Sequence, residues 1–140
     1  MVTQTRSGNH DHNIQIVLNA FDALFNKRDY AAAERYWSPR YVEHGVRIPP
    51  GREGLFGWIK IVPETLRYKN HIAAANGDFV ILHGRFSGYG PTSWAIADVV
   101  RVEGGMLMEH WEVVQDEATC EQSRSEHCCE PLVASQPTPS

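Results

Sequence analysis

Residues 94–115 read WAIADVVRVEGGMLMEHWEVVQ, and this stretch decides the predicted fold. On both sides of Gly104-Gly105 the chain is rich in β-branched and aromatic residues, with a two-residue period that is typical of strands. Two glycines between such runs favour a tight hairpin turn. The stretch therefore predicts two antiparallel strands, over residues 93–103 and 106–115.

The residues before this hairpin extend it into a four-strand meander. Strand patterns cover residues 66–75 and 79–87, and Asn76-Gly77 between them is a hairpin-turn pair. Before Pro63 the apolar period is close to 3.6, which predicts helices over residues 14–25, over residues 30–37 and between Gly51 and Pro63. Helices followed by an antiparallel meander indicate an α+β fold, not the alternating βαβ pattern of nucleotide-binding folds.

Composition divides the 140 residues into one folded body and two tails. All aromatic residues lie within residues 13–116, which is the predicted domain. Residues 1–12 lack aromatics and apolar periodicity, so we expect a flexible N-terminal arm. Residues 117–140 carry four acidic residues against one base, and their Pro-, Ser- and Thr-rich end predicts a flexible acidic tail. Docking of this tail on the body or on a partner subunit is the alternative.

Charge and cysteine content exclude several classes of function. A net charge of -4 without a basic face argues against nucleic-acid binding. No apolar run approaches the ~20 residues of a membrane span, so we expect no membrane association. The cysteines at positions 120, 128 and 129 are odd in number and lack CxxC spacing, which argues against a disulfide framework. We therefore expect a reducing, cytoplasmic environment.

Familiar cofactor motifs are missing from the sequence. It contains no P-loop, no strand-linked GxGxxG, no GxSxG elbow and no HExxH. The body histidines lack the spacing of metal-ligand pairs, and these are His44, His71, His83 and His110. We expect neither a metal nor an organic cofactor.

Asp98 is the most informative single residue. Alternation places it on one face of its strand with Trp94, Ile96, Val100 and Val102. Burial of an unpaired carboxylate is costly and usually raises its pKa, and such a carboxylate suits a general base. The alternative is a structural Asp that binds a loop amide or Arg101.

The histidines and aromatic residues are harder to place from periodicity. Neither face of the last strand is purely apolar, so the pattern leaves open whether His110 or Trp111 points inward. His83 is equally ambiguous, and His71 is expected at a solvated or edge position. His44 lies where the second helix gives way to a loop.

The segment Tyr41-Val42-Glu43-His44 and the run from Asp98 to Gln115 resemble the SnoaL-like polyketide cyclase family of the NTF2-like superfamily. The resemblance covers about residues 13–116. It implies a cone-shaped α+β barrel, in which a curved antiparallel sheet wraps around helices and encloses an apolar pocket. It also implies a homodimer that associates through the sheet.

The resemblance further implies a cofactor-independent cyclase or isomerase for a hydrophobic, carbonyl-containing small molecule. The acid–base role falls on Asp98, and His44 and His110 become further catalytic candidates. The expected substrate-binding residues are Tyr41, Trp58, His83, Phe86, Trp94 and Trp111. A non-catalytic binding module is the main alternative. An epoxide hydrolase is disfavoured, because Asp98 and Arg101 lie on opposite strand faces.

Overall fold

A computed structural model describes residues 2–125, 127 and 131–132, with the backbone alone for residues 2–7. Its helices are α1 (Val2–Phe21), α2 (Tyr30–Tyr36) and α3 (Gly51–Ile61), and a π-helical turn, Asp22–Asn26, follows α1. Its strands are β1 (Trp37–Glu43), β2 (Arg67–Asn76), β3 (Phe79–Ser87), β4 (Trp94–Glu103) and β5 (Met106–Asp116). The predicted α+β class and the meander β2 to β5 are confirmed.

The sheet differs from the prediction in one strand. Its order is β1-β5-β4-β3-β2, and β1 pairs in parallel with β5. The sheet therefore has five strands and is mixed, whereas residues 37–43 were expected to end a helix and enter a loop. Pro39 argues against a strand at this position in the sequence. An edge strand nevertheless tolerates a proline, because one side of it needs no ladder hydrogen bonds. The extra strand brings Glu43 beside His110 of β5.

Helix α1 begins at Val2, well before the predicted start near Asn13. Once the buried turns around Val17 and Leu18 are formed, each further residue adds one hydrogen bond, so the helix can extend beyond its apolar stripe. Within the side chains that the structure describes, His10 accepts a hydrogen bond from the backbone N–H of Gly77 at 3.2 Å. The division into an arm, a domain and a tail stays a prediction.

The core lies between the helices and one face of the sheet. Phe21 and Phe25 pack edge to face with their ring centroids 5.1 Å apart, and both reach the buried indole of Trp37. On the sheet, Val80, Leu82 and Val100 are fully buried against them. We call this the inner face. The other, outer face of the sheet carries the exposed apolar side chains Ile81 and Val113.

Two irregularities in strand pairing decide which histidines face inward. In β2 the register shifts between Asn70 and Ile72, and His71 is buried. His71 does lie on an edge strand, as one of the two expected positions had it, but it is not solvated, because the bulge turns it to the inner side. In the β4–β5 pairing Arg101 faces Glu109 while Val102 faces Leu107, so β5 has one extra residue. Leu107 and His110 are consequently both buried, although strict alternation would separate them.

Glu117, the first residue of the predicted tail, contacts the body. The backbone N–H of Glu117 donates to Ser93 at 2.8 Å, and its carboxylate pairs with Arg85 at 2.8 Å. Cys120 is disulfide-bonded, which is not a disulfide framework but removes the premise of the expected reducing compartment. Cys128 and Cys129 lie outside the described residues. No helix in the described ranges is long and apolar enough to cross a membrane.

Candidate active site

An apolar cavity lies between the helices and the inner face of the sheet. It is partly open to solvent. Aromatic side chains from several elements form most of its wall, namely Phe21, Phe25, Trp37, Trp58, Phe86 and Trp94. Polar groups enter from β1, β4, β5 and the loop after β1, and these are Tyr41, Glu43, Arg47, Asp98, His110 and Glu112. Convergent polar groups in an apolar cleft are typical of a small-molecule site.

Asp98 lies in the middle of β4 and lines this cavity. Its neighbours on the inner face, Ile96 and Val100, are buried, and Asp98 itself is only 1% exposed. Its Oδ1 lies 2.6 Å from Nε2 of His110. Its Oδ2 is buried and has no hydrogen-bond partner in the described part of the chain. One carboxylate oxygen is thus positioned by the protein, and the other is left for a ligand.

His110 lies between two carboxylates. Nε2 faces Asp98, and Nδ1 lies 2.8 Å and 2.9 Å from the two carboxylate oxygens of Glu43. Glu43 is held in turn by the Tyr41 hydroxyl, which donates to Oε1 at 2.6 Å, and by the Gly45 N–H, which donates to Oε2 at 2.8 Å. The arrangement fixes the ring plane of the imidazole, so that Nε2 points at Asp98.

Burial and hydrogen bonding set the protonation states of this chain of groups. Burial alone would lower the His110 pKa, but the hydrogen bonds and charges of Asp98 and Glu43 outweigh it and raise the pKa to about 10. Burial raises the pKa of Asp98, and the hydrogen bond from His110 opposes that rise. For Glu43 the balance is reversed: burial raises its pKa, but hydrogen bonds from His110, Tyr41 and Gly45 bring it below the usual value. Glu43 therefore stays ionised, while Asp98 and His110, 2.6 Å apart, titrate as a coupled pair.

Glu112 is the third acidic side chain of the cavity. It is directly opposite Asp98 in the β4–β5 pairing and two residues beyond His110 on the same strand. Burial is the main cause that raises its pKa to about 6. One ligand atom each from Asp98, His110 and Glu112 lies within 4.8 Å of the others, which is close enough to hold a divalent cation. Both ring nitrogens of His110 already face carboxylates, so the same geometry also holds a proton without a metal.

Six of the predicted site residues line the cavity. They are Tyr41, Trp58, Phe86, Trp94, Asp98 and His110. The structure thus answers the question that periodicity left open, since His110 points inward and Trp111 outward. The structural role considered for Asp98 with Arg101 does not occur, because Arg101 pairs with Glu109 at 2.9 Å.

The other three predicted residues lie elsewhere. His44 stacks on Trp111 with ring centroids 4.6 Å apart, and its Nε2 is 2.7 Å from Glu109. Because β5 side chains alternate beyond the bulge, this pair occupies the outer face, away from Asp98. His83 also lies on the outer face. Side chains alternate along β3, and the neighbours of His83, Leu82 and Gly84, are both buried on the inner side. The structure therefore does not bring His44, His83 or Trp111 to the cavity.

Sequence reasoning missed Glu43, Arg47 and Glu112. Glu43 belongs to the motif Tyr41-Val42-Glu43-His44, but its contact with His110 depends on the pairing of β1 with β5, which the sequence did not predict. For Glu112 a signal was available, because a residue two positions after an inward-facing His110 on the same strand also faces inward. Arg47 lies in a loop without periodicity, and its guanidinium carbon is 5.4 Å from the centre of a Trp94 ring.

Comparison with solved structures shows the same fold in several proteins. A proposed ketosteroid isomerase from Kribbella flavida is 13% identical, with a TM-score of 0.69 and 93% of each chain covered. An epoxide hydrolase from M. tuberculosis described as LEH-like is 17% identical, with a TM-score of 0.65 and coverage of 76% of this chain and 85% of that one. IdmH from Streptomyces antibioticus, a proposed polyketide cyclase, is 20% identical, with a TM-score of 0.58 and coverage of 71% and 88%.

These likenesses confirm the predicted NTF2-like fold. A search of the curated proteins finds no match. The family model described as the SnoaL-like domain matches residues 17–110, a range that includes β1, the core of the sheet and both Asp98 and His110. The chain therefore belongs to the SnoaL-like domain family.

Proposed function

We propose that this protein is an enzyme of the cyclase or isomerase type, which acts by acid–base catalysis on a hydrophobic small molecule that contains a carbonyl group. The observation that carries the proposal is the Asp98–His110–Glu43 chain at an apolar cavity, with Oδ2 of Asp98 unbonded. The fold alone does not indicate a reaction, because related folds host many activities. The proposal therefore depends on the chemistry of these residues.

Asp98 is the proposed general base. Its Oδ2 removes a proton from the carbon next to the substrate carbonyl, and the electron pair of the C–H bond moves to the carbonyl oxygen. In an isomerisation Asp98 returns this proton to another carbon of the enolate. In a ring closure the enolate carbon attacks a second carbonyl of the same molecule, and the alkoxide that forms takes the proton from Asp98. A base with a raised pKa is effective near neutral pH. The protonated His110 next to it offsets the negative charge that develops.

Glu43 acts through His110 and is a positioning residue. Its hydrogen bonds to Tyr41 and Gly45 hold it ionised, and it fixes which nitrogen of His110 faces Asp98. The scheme uses proton transfers between Asp98 and the substrate and, in a ring closure, a carbon–carbon bond formed within the substrate, so we propose that it needs no metal or organic cofactor. The aromatic wall would bind the apolar part of the substrate and exclude water from the enolate.

The test is exchange of the α-protons of 2-tetralone, a hydrophobic ketone, for deuterium, followed by NMR. Asp98→Asn keeps the shape of the side chain and removes the base, so we expect exchange to slow on the order of 10²–10⁴-fold. Glu103→Gln is the matched control, because Glu103 is an exposed carboxylate at the end of the same strand. The control should exchange at the parent rate, and EDTA should leave that rate unchanged.

Three results would contradict the proposal. Parental exchange by a folded Asp98→Asn variant would eliminate Asp98 as the base. Binding of 2-tetralone without any exchange by the parent protein would favour the non-catalytic binding module. A stoichiometric metal that is lost together with activity would replace the cofactor-free scheme.

A further inference from the structure

Glu112 is a carboxylate in the proposed active site that the scheme above does not use. It lines the cavity together with Asp98 and His110. In the described part of the chain no hydrogen bond or ion pair is made by its carboxylate, whereas Glu43 accepts from three different groups. Glu112 is thus near the reacting groups but is not held by them.

Gly45 provides the space for this carboxylate. A Cβ atom at position 45 would lie 2.8 Å from Oε1 of Glu112 and 2.9 Å from Oε2 of Glu43. Any larger residue would therefore push against both carboxylates. The missing side chain leaves room for both Glu112 and Glu43 beside the same backbone, and only Glu43 accepts a hydrogen bond from the Gly45 N–H.

The two carboxylates consequently have different acid–base properties. Glu43 is ionised, because hydrogen bonds lower its pKa despite burial. Glu112 has no such bonds, and burial raises its pKa to about 6. The charged and titratable groups that act on it are His110, Asp98, Glu43 and Arg47. Burial without a hydrogen-bond donor favours the protonated form of Glu112 more than that of Glu43, and a protonated carboxyl in the cavity can donate to a ligand.

We propose that Glu112 is a second catalytic acid in this cavity, which donates a proton to the carbonyl oxygen of the substrate while Asp98 removes the proton from the adjacent carbon. This inference rests on the proposed function. The Asp98 carboxylate gains the α-proton, the C–H electrons form the C=C bond of an enol, and the carbonyl oxygen takes the proton of Glu112. The reverse transfers regenerate both groups, so that no further reactant is needed.

In this proposal Asp98 acts at the α-carbon of the substrate and Glu112 acts at the carbonyl oxygen. Asp98 and Glu112 lie opposite each other on neighbouring strands, with ligand atoms of both and of His110 within 4.8 Å. Two heavy atoms, the α-carbon and the carbonyl carbon, separate an α-hydrogen from its carbonyl oxygen. A ketone in the cavity can therefore contact Asp98 and Glu112 at the same time. Isomerisation and ring closure both start from the enol, and both therefore benefit from the second acid.

The experiment uses the full chain and the 2-tetralone exchange assay. Glu112→Gln should slow exchange on the order of 10²–10⁴-fold, mainly through kcat, while Glu103→Gln stays at the parent rate. Because the acid form of Glu112 is needed, the parent rate should show a limb that falls as pH rises through about 6. This limb should disappear in Glu112→Gln and persist in Glu112→Asp, which keeps the acid on a shorter side chain.

The outcomes separate this inference from the proposed function. Parental exchange by Glu112→Gln, alongside a loss in Asp98→Asn, would overturn the role of Glu112 and leave Asp98 as the base. Absence of exchange in the parent would overturn both proposals. If Glu112→Gln does not fold, Glu112→Asp provides the test. A Glu112→Asp variant whose exchange rate no longer falls as pH rises through this range would equally contradict the inference.

Discussion

The carboxylates of Glu43, Asp98 and Glu112 differ because of the hydrogen bonds that each one receives. Glu43 accepts from a hydroxyl, an imidazole and a backbone N–H. Asp98 faces the imidazole through one oxygen only, and Glu112 has no such bond in the described ranges. Burial acts on all three in the same direction, so the number of donors decides which of them holds its proton at neutral pH.

The raised pKa of His110 predicts how the stability of the protein depends on pH. Its pKa is about 10 in the folded protein, against an ordinary value of 6.5. Between these values the folded state binds more protons than the unfolded state, so the free energy of unfolding falls as pH rises. The contribution is complete below the unfolded pKa and is lost as pH passes the folded one, with a slope of at most about 1.4 kcal/mol per pH unit for one proton.

Glu43→Gln is the variant that tests this assignment. It removes one of the two carboxylates that raise the His110 pKa, so its stability should decrease less steeply over the same alkaline range. Urea unfolding at several pH values measures the slope, and Glu103→Gln should keep the parent slope. Equal slopes in the parent and Glu43→Gln would show that His110 is not the titrating group.

At the scale of elements, the junction before α2 depends on one strained residue. Arg28 has a φ of 55°, in the left-handed region that favours glycine. Its guanidinium donates to the carbonyl of Ile59 at 2.9 Å and to that of Pro63 at 2.8 Å. These carbonyls belong to the C-terminal end of α3 and the residues after it, so Arg28 links the segment before α2 to the end of α3.

Arg28→Ala should lower the free energy of unfolding by about 2 kcal/mol, because both hydrogen bonds are lost and the strained backbone remains. Arg28→Gly loses the same bonds but adopts the positive φ without a steric cost. We expect it to be about 1 kcal/mol more stable than Arg28→Ala. Chemical denaturation of the two variants measures the difference. A glycine variant less stable than the alanine variant would show that backbone strain is not significant here.

At the scale of the whole molecule, the outer face of the sheet carries exposed apolar side chains from several strands. Strand pairing places Ile72, His83, Ala97 and Val113 in one row across four strands. The neighbouring row contains Ile81, Val99 and Trp111. Val113 is 74% exposed, and Ile72 and Ile81 are each almost half exposed. We propose, as the family resemblance implied, that a second copy of the chain covers this face.

Val113→Glu should convert a dimer into a monomer, because it places a charge in the middle of the apolar face. Val46→Glu is the matched control, since Val46 is fully exposed in the loop after β1 and is not part of a strand of the sheet. Sedimentation at micromolar concentration distinguishes the two states. A parent protein that is monomeric under these conditions, or a dimeric Val113→Glu variant, would contradict the proposed interface.

Local sequence patterns determined the parts of this protein that depend on neighbours along the chain. Strand β3 has the predicted bounds, β4 and β5 differ from theirs by one residue, and α3 lies in its predicted interval. The inward position of Asp98 followed from alternation because β4 is regular from Trp94 to Arg101. These features need only a period and a turn signal, which the sequence carries directly.

The tertiary structure decided the remainder of the site. The extra residue in β5 turned His110 inward and Trp111 outward, and its position depends on pairing with β4. The parallel pairing of β1 with β5 brought Glu43 to His110 from 67 residues away and left His44 on the other side of the sheet. Burial then separated the pKa of Glu112 from that of Glu43. Register, bulges and desolvation are properties of contacts between distant segments, and a pattern within one segment does not contain them.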